Sequence, residues 1–152
     1  MYQTLTFCHS LFRWVVLFLL LYAIYRAFTG VRSKRHFGKT DNAIRHWAAT
    51  ATHIQLILGI LLYLKSPIIS YFFKNTNDAL QNKEITFFSL IHSLLMITAI
   101  VILTIGSALA KRKGTDPEKF RTMLLWFSIS LFIICISIPW PFSPLAARPY
   151  YR

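Results

Sequence analysis

Four long apolar segments, separated by shorter polar and basic stretches, dominate the sequence. They run from about Leu5 to Phe28, from Ala43 to Leu64, from Ile85 to Leu109 and from Phe120 to Ile138. Each is close to the roughly 20 residues that a helix needs to cross the apolar core of a bilayer. Because lipid offers no hydrogen-bond partner to the backbone, all four segments are predicted to be helices. We therefore expect one all-α domain over residues 1–152, an integral membrane four-helix bundle with antiparallel, up-down-up-down helices.

The composition excludes most other classes of protein. Of 152 residues, 55% are hydrophobic and 14% are charged, whereas an ordinary soluble domain has about 25% charged residues. A soluble domain of this size cannot bury so much apolar surface, so a water-soluble enzyme is excluded. With two cysteines and five glycines, a disulfide scaffold and a collagen-like chain are excluded as well.

The charge of the chain is strongly positive and unevenly placed. Lys and Arg number 17 against 5 Asp and Glu. Such an excess would suggest nucleic acid in a soluble protein, but basic loops beside membrane spans are the simpler explanation, and no nucleic-acid partner is expected. Eleven basic residues flank the first and third connections, and five lie at the other ends of the spans. The positive-inside rule then places both termini outside, in a multi-pass protein of the cytoplasmic (inner) membrane.

The connections and ends carry further signals. No Lys or Arg precedes Leu5, so the first span is expected to be a permanent helix and not a cleaved signal peptide. The stretch 68–73 is expected to lie along the outer surface, and 75–83 is expected to be a polar outer loop. The prolines in 139–144 should end the fourth helix. Trp140, Tyr150 and Tyr151 suit the headgroup belt.

A short internal repeat relates the two halves of the chain. His9-Ser10-Leu11 is matched by His92-Ser93-Leu94, and Thr40-Asp41 is matched by Thr115-Asp116. Both Thr-Asp pairs stand where a helix N-cap is expected. The repeat predicts two helical hairpins of one orientation, related by a pseudo-two-fold axis along the membrane normal.

Four of the five histidines lie within the spans: His9, His46, His53 and His92. Ionisable side chains inside a membrane are costly, so a functional role is the default hypothesis for them. The alternative is a neutral imidazole that links two helices by hydrogen bonds. His36, in the first basic loop, is expected to be solvated.

His9 and His92 lie at similar depths, at roughly 6–8 Å and 10 Å below the outer ends of their helices. The first and third helices of such a bundle are diagonal to each other. Two imidazoles at one depth on diagonal helices can ligate the iron of a b-type haem through Nε2. We therefore predict one haem b with His9 and His92 as its metal ligands. His53, on the same face as His46, is expected beside the haem or as an alternative ligand.

Arg13 lies one turn from His9, near the middle of the membrane. All five acidic residues are in loops or at helix ends, and an unpaired guanidinium at that depth would cost several kcal/mol. A haem propionate, a quinone headgroup, a lipid phosphate or backbone carbonyls could stabilise the charge. The alternative is a side chain that extends to the membrane interface. Arg13 is therefore predicted to bind a cofactor, either the haem or a quinone.

Three short motifs carry a resemblance to a known family. These are His9-Ser10-Leu11-Phe12-Arg13-Trp14, His53-Ile54-Gln55-Leu56-Ile57-Leu58-Gly59 and His92-Ser93. Together with the four spans, they resemble short four-span b-type membrane cytochromes, of the cytochrome b561-like and small "cytochrome B" kind. The resemblance implies haem b and electron transfer, often from quinol, alone or as a subunit of a respiratory complex. The two complete histidine pairs of di-haem members are absent here.

Two other interpretations remain open at this point. A haem-free accessory subunit would stabilise a larger membrane complex by packing against partner subunits. A proton or metal transporter would need a polar path through both leaflets, and the acid-free spans argue against one. No catalytic residue is assigned, so the chain would at most be the electron-transfer subunit of an oxidoreductase. Cys8 and Cys135 could form a disulfide or remain two buried thiols.

Overall fold

The structure, a computed structural model, describes residues 1–143 and residue 146. These residues form helices and turns, with no β-strand among them. The helices are α1 (Tyr2–Ser33), α2 (Lys39–Lys65), α3 (Pro67–Lys74), α4 (Thr76–Gln81), α5 (Lys83–Thr86), a π-helical turn (Phe87–Ile91), α6 (His92–Arg112) and α7 (Asp116–Ser137). Four helical segments are long and apolar enough to cross a membrane: α1, α2, the continuous stretch Lys83–Arg112, and α7. The all-α fold and the four predicted helices are confirmed.

The outer connection differs from its prediction. The stretch 68–73 falls within helix α3, but the expected loop over 75–83 contains helix α4. The reason is packing, since Ala79 of this polar stretch is fully buried and so anchors the short helix. At the end of the fourth span, α7 stops at Ser137, two residues before Pro139, as predicted. Tyr150 and Tyr151 lie outside the described residues.

The four long helices form a closed ring of contacts. Helix α1 packs against α2 and α7, and α6 packs against the same two helices. Helices α1 and α6 therefore face each other across the bundle. Small residues allow close packing between the helices; Ala23, Ala27, Ala48, Ala99 and Ala110 are fully buried. Large apolar side chains such as Phe18 and Phe132 are exposed on the outside, as lipid-facing positions would be.

One end of the bundle, here called the basic end, contains the connections 34–38 and 113–115. Its centre is the carboxylate of Asp41, which is 1% exposed. Arg26 donates to Asp41 Oδ1 from Nε and Nη2, at 3.0 and 2.8 Å. Arg35 donates to both carboxylate oxygens, at 2.6 and 2.8 Å. These hydrogen bonds to Asp41 raise the pKa of Arg35 above its ordinary value, so the network holds permanent charges.

Of the two predicted helix caps, the one at Thr115 is confirmed and the one at Thr40-Asp41 is not. Thr115 is the N-cap of α7, and its backbone and hydroxyl both donate to Glu118. Helix α2, however, is capped by Gly38, and Asp41 is its third helical residue. The Thr40-Asp41 assignment is therefore wrong, because Asp41 accepts the Gly38 N–H at 3.1 Å from inside the first turn while it binds two arginines.

Candidate functional site

The opposite end of the bundle, here called the histidine end, contains His9 on α1 and His92 on α6. These helices are diagonal, and both reach the end of α7: Arg13, one turn from His9, lies against Trp140, and His92 bonds to Ser137. The structure thus brings together the two predicted haem ligands and the predicted cofactor-binding arginine. All three side chains are partly or largely buried.

His92 is held by the end of the neighbouring helix. Its Nδ1 donates to the backbone carbonyl of Ser137 at 2.7 Å, which is one of the carbonyls that the last turn of α7 leaves without a helical partner. That bond places the proton on Nδ1 and leaves the Nε2 lone pair available. A π-helical turn immediately precedes His92, and such turns are frequent at functional sites. The rings of Phe87 and Phe88 lie 5.8 and 6.3 Å from the imidazole.

His9 packs directly on a glycine of α2. A Cβ added to Gly59 would lie 3.3 Å from His9 Cε1, so the absence of a side chain at residue 59 makes room for the ring. One turn away, Gln55 Nε2 donates to the backbone carbonyl of His9 at 2.9 Å. Two buried atoms here, His9 Nδ1 and Gln55 Oε1, have no hydrogen-bond partner among the described residues. An unsatisfied buried polar atom costs about 1–3 kcal/mol, which is a reason to expect a further group or a rearrangement at this place.

Arg13 lies between two tryptophans. Its Cζ is 5.4 Å from the Trp14 ring and 6.0 Å from the Trp140 ring, and the two indoles are edge-to-face at 6.1 Å. The Trp140 Nε1 donates to the carbonyl of Cys135 at 2.8 Å. Cation–π contacts of this kind stabilise a charge in a medium of low dielectric constant. This contribution is not predictable from the helical pattern, because Trp140 lies in the chain beyond α7.

The other three histidines lie outside this cluster. His53 is on the exposed surface of α2, where its Nε2 is 2.9 Å from the hydroxyl of Thr104 on α6. His46 is also exposed and lies against Trp47. His36 pairs with Asp116 at 2.6 Å at the basic end. The structure therefore places His53 on the outer surface of the bundle, whereas its predicted role needs a position beside His9 or His92.

Several polar residues of the site were not assigned from the sequence. Tyr63 donates its hydroxyl to the carbonyl of Ser89 at 3.0 Å, and the hydroxyl oxygen of Ser89 is buried without a hydrogen-bond partner among the described residues. Gln55, Gly59 and Tyr63 are four residues apart, so they share one face of α2. That spacing was visible in the sequence and could have indicated a face turned toward the histidines.

The donor set limits what the site can bind. Within residues 1–143 and 146, no group of three or more His, Cys, Asp or Glu side chains converges on one point. A metal ion held by protein ligands alone would need such a group. Two imidazoles suffice for haem iron, because the macrocycle supplies the other four nitrogens. Cys8 and Cys135 are both free thiols.

Comparisons with protein-family models, with curated proteins and with solved structures gave no match to this chain.

Proposed function

We propose that the protein is a membrane-embedded b-type haem protein that relays single electrons, alone or as a subunit of a respiratory complex. The observation that carries the proposal is the hydrogen bond from His92 Nδ1 to the Ser137 carbonyl. Histidines that ligate metals nearly always donate their second ring nitrogen to a carbonyl or carboxylate, which orients the ring. The Nε2 of His92 then remains free to ligate iron, and His92 lies on α6, the helix diagonal to α1, which carries His9.

The residues around His9 fit the second ligand. If the side-chain amide of Gln55 turns, its unpartnered Oε1 can accept the proton of His9 Nδ1, which is the other unpartnered atom of the pair. Nε2 of His9 is then the ligating nitrogen, as in His92. Gly59 leaves space beside the ring, so the imidazole can adjust without moving α2.

Each residue of the site has a defined role in this proposal. His9 and His92 would hold the haem iron, and bound haem supplies a one-electron couple between ferric and ferrous iron. Arg13 would bind a propionate of the haem, or the headgroup of a quinone that exchanges electrons with it. Trp14 and Trp140 hold the guanidinium at the depth of the two imidazoles. Gln55 and Ser137 orient the ligands.

A single site at one end of the bundle also indicates the route of the electrons. The two histidines at or near the basic end, His36 and His46, are exposed. His36 pairs with Asp116, and His46 lies against Trp47. Electrons would therefore enter and leave on the side of the histidine end. By the charge rule this end faces outward, with an up-down-up-down order of helices in the cytoplasmic membrane. A reporter fused after Arg152 that is active only outside the cytoplasm tests this orientation.

The test of the proposal is optical. Protein purified from haem-replete cells should show a sharp α-band in its reduced-minus-oxidised spectrum. His9→Ala and His92→Ala should each abolish that band, while His36→Ala, on an 82% exposed side chain, should keep it. Full retention of haem in both cluster variants would refute the ligand pair. A colourless wild-type protein would refute the haem itself.

A haem-free accessory subunit is the second candidate, and one observation favours it. The His53–Thr104 pair lies near the middle of α2 on an exposed surface, where a polar group facing lipid is costly. A helix of a partner subunit would cover this pair and could bind to it. Such a protein would be colourless and would be purified with its partner. Substitution of His53 by Leu would then weaken the complex and leave the isolated chain folded.

A further inference from the structure

A cavity of about 240 Å³ opens at the basic end, away from His9 and His92. It is lined by Phe37, Gly38, Lys39, Asn42, Lys111 and Lys119. The lining comes from three places in the chain: the end of the connection 34–38 with the first turn of α2, the end of α6, and the first turn of α7. We call it the lysine pocket.

We propose that the lysine pocket binds a phosphate group, and that the location favours the headgroup of an anionic phospholipid. Three lysines line one small cavity, and basic pockets between transmembrane helices bind anionic headgroups. The pocket lies at the ends of three membrane helices, which is the level of the headgroups.

The lysines keep most of their charge available for a ligand. Within the described part of the chain, Lys39 and Lys111 form no ion pair. Lys119 lies 3.9 Å from Asp116, but that carboxylate is bound much more closely by His36, at 2.6 Å. Glu118, next to Lys119 in the chain, accepts hydrogen bonds from the backbone and the hydroxyl of Thr115. Asp41, two residues after Lys39, forms its ion pairs with Arg26 and Arg35.

The polar groups of the pocket are also oriented toward a ligand. Arg45 donates to Asn42 Oδ1 from Nη2 at 2.9 Å and is itself held by the carbonyl of Ser107 at 3.0 Å. Because the oxygen of the Asn42 amide is occupied, its NH₂ group remains for an acceptor.

The location of the pocket, at the ends of apolar helices, distinguishes a lipid from a free ion. Phe37 is nearly buried and packs on Phe120, with ring centroids 4.9 Å apart. The Lys119 ammonium lies 5.8 Å from the Phe37 ring. A phospholipid would place its phosphate among the lysines and its acyl chains along the apolar outer faces of the helices that end at the pocket, where side chains such as Phe28 and Leu109 are exposed. Inorganic phosphate would use the lysines alone.

The experiment is a titration followed by native mass spectrometry of the full chain in a neutral detergent. Phosphatidylglycerol and phosphatidylcholine with identical acyl chains are compared, and inorganic phosphate is a third arm. We expect tighter binding of phosphatidylglycerol than of phosphatidylcholine. The triple variant Lys39→Gln/Lys111→Gln/Lys119→Gln should reduce phosphatidylglycerol affinity about tenfold or more, since each lysine contributes to headgroup attraction.

A matched control removes the same charge from the same end. Arg112→Gln/Lys113→Gln/Arg121→Gln alters three exposed residues outside the pocket and should leave the affinity within about twofold. The variant Lys39→Arg/Lys111→Arg/Lys119→Arg keeps the charge and should retain binding, which shows that the pocket still folds.

Three results would overturn the proposal. Equal loss in the pocket and control variants would mean that only the overall charge matters. Retained affinity in the pocket variant would place the ligand elsewhere. Equal affinity of the wild type for the two lipids would refute the lipid assignment, and if inorganic phosphate alone then depends on the pocket lysines, the ligand is a soluble phosphate.

Discussion

Three glycines provide a graded test of the packing, because a single methyl group has a different consequence at each. In Gly59→Ala, the new Cβ lies 3.3 Å from His9 Cε1, and ordinary carbon contacts are about 3.5–4.0 Å. The imidazole must therefore move by a few tenths of an ångström, which a side chain can do. The substitution also gains about 1 kcal/mol of helix propensity. The net change in stability should stay within about 1 kcal/mol.

Gly106→Ala should behave quite differently. Here the new Cβ would lie 2.6 Å from Cγ of Trp126, and nearer still to its Cβ. These atoms adjoin the backbone of α7, so the two helices must separate by roughly 1 Å or more to restore a normal contact. Overpacking of this kind costs about 1–3 kcal/mol, occasionally more. Gly114→Ala is the control, since nothing lies within 4 Å of its added Cβ.

The assay combines thermal unfolding in detergent with the haem spectrum. Gly106→Ala should lower the Tm by about 5 °C or more, because each kcal/mol of destabilisation corresponds to roughly 2–4 °C. The Tm of Gly59→Ala and of Gly114→Ala should stay near that of the wild type. Only Gly59→Ala should shift the α-band, the midpoint potential or the haem content of a protein that is still folded. If Gly59→Ala destabilises the bundle as much as Gly106→Ala does, the contact of His9 with Gly59 is wrong. If it leaves the haem properties unchanged, His9 is not a ligand.

Substitutions of three further side chains test their individual roles. Arg13→Leu should reduce haem content and lower the midpoint potential, because a nearby positive charge favours the reduced haem, and Arg13→Lys should restore part of both. Unchanged haem content and potential in the Leu variant would remove Arg13 from the site. Gln55→Glu should lower the midpoint potential and Gln55→Leu should raise it, because a stronger hydrogen-bond acceptor at residue 55 makes His9 a more basic ligand. Shifts of the same sign in the two variants would contradict this role of Gln55. Asp41→Asn should lower the free energy of unfolding by about 2–3 kcal/mol, because it weakens charge-assisted hydrogen bonds to a buried carboxylate. Asp78→Asn, at an exposed site, should have no effect, and equal Tm changes in the two variants would contradict a stabilising role of the Asp41 network.

The positions of the four spans were predictable because hydropathy alone determines them. Their ends were not, since α1 extends from residue 2 to 33 where the apolar segment covers about 5 to 28. Polar residues at a helix end continue the backbone hydrogen bonds at little cost once the helix has left the lipid. The apolar pattern therefore predicts the part of the helix that crosses the membrane and not the full length of the helix.

The candidate site was predictable only in part. Depth along a helix follows from counting residues, and this brought His9 and His92 to one level. The same arithmetic placed His46 and His53 on one face of α2, and both are indeed exposed. It could not determine that this face points outward, because nearly every face of a membrane helix is apolar. The contacts of Arg13 with Trp140 depend on the chain after α7, which no helical period describes.

The Asp41 network has a consequence for how the protein is made. Arg26, Arg35 and Asp41 lie within 16 consecutive residues, so every charged group of the network is present once the first two helices have been synthesised. The α1–α2 hairpin can therefore enter the membrane with its cationic turn already closed around one carboxylate, before α6 and α7 exist. The second hairpin then adds to a preformed template, and Arg45, through Ser107, is one of the side chains that joins the two. Biogenesis would proceed hairpin by hairpin in the order of translation.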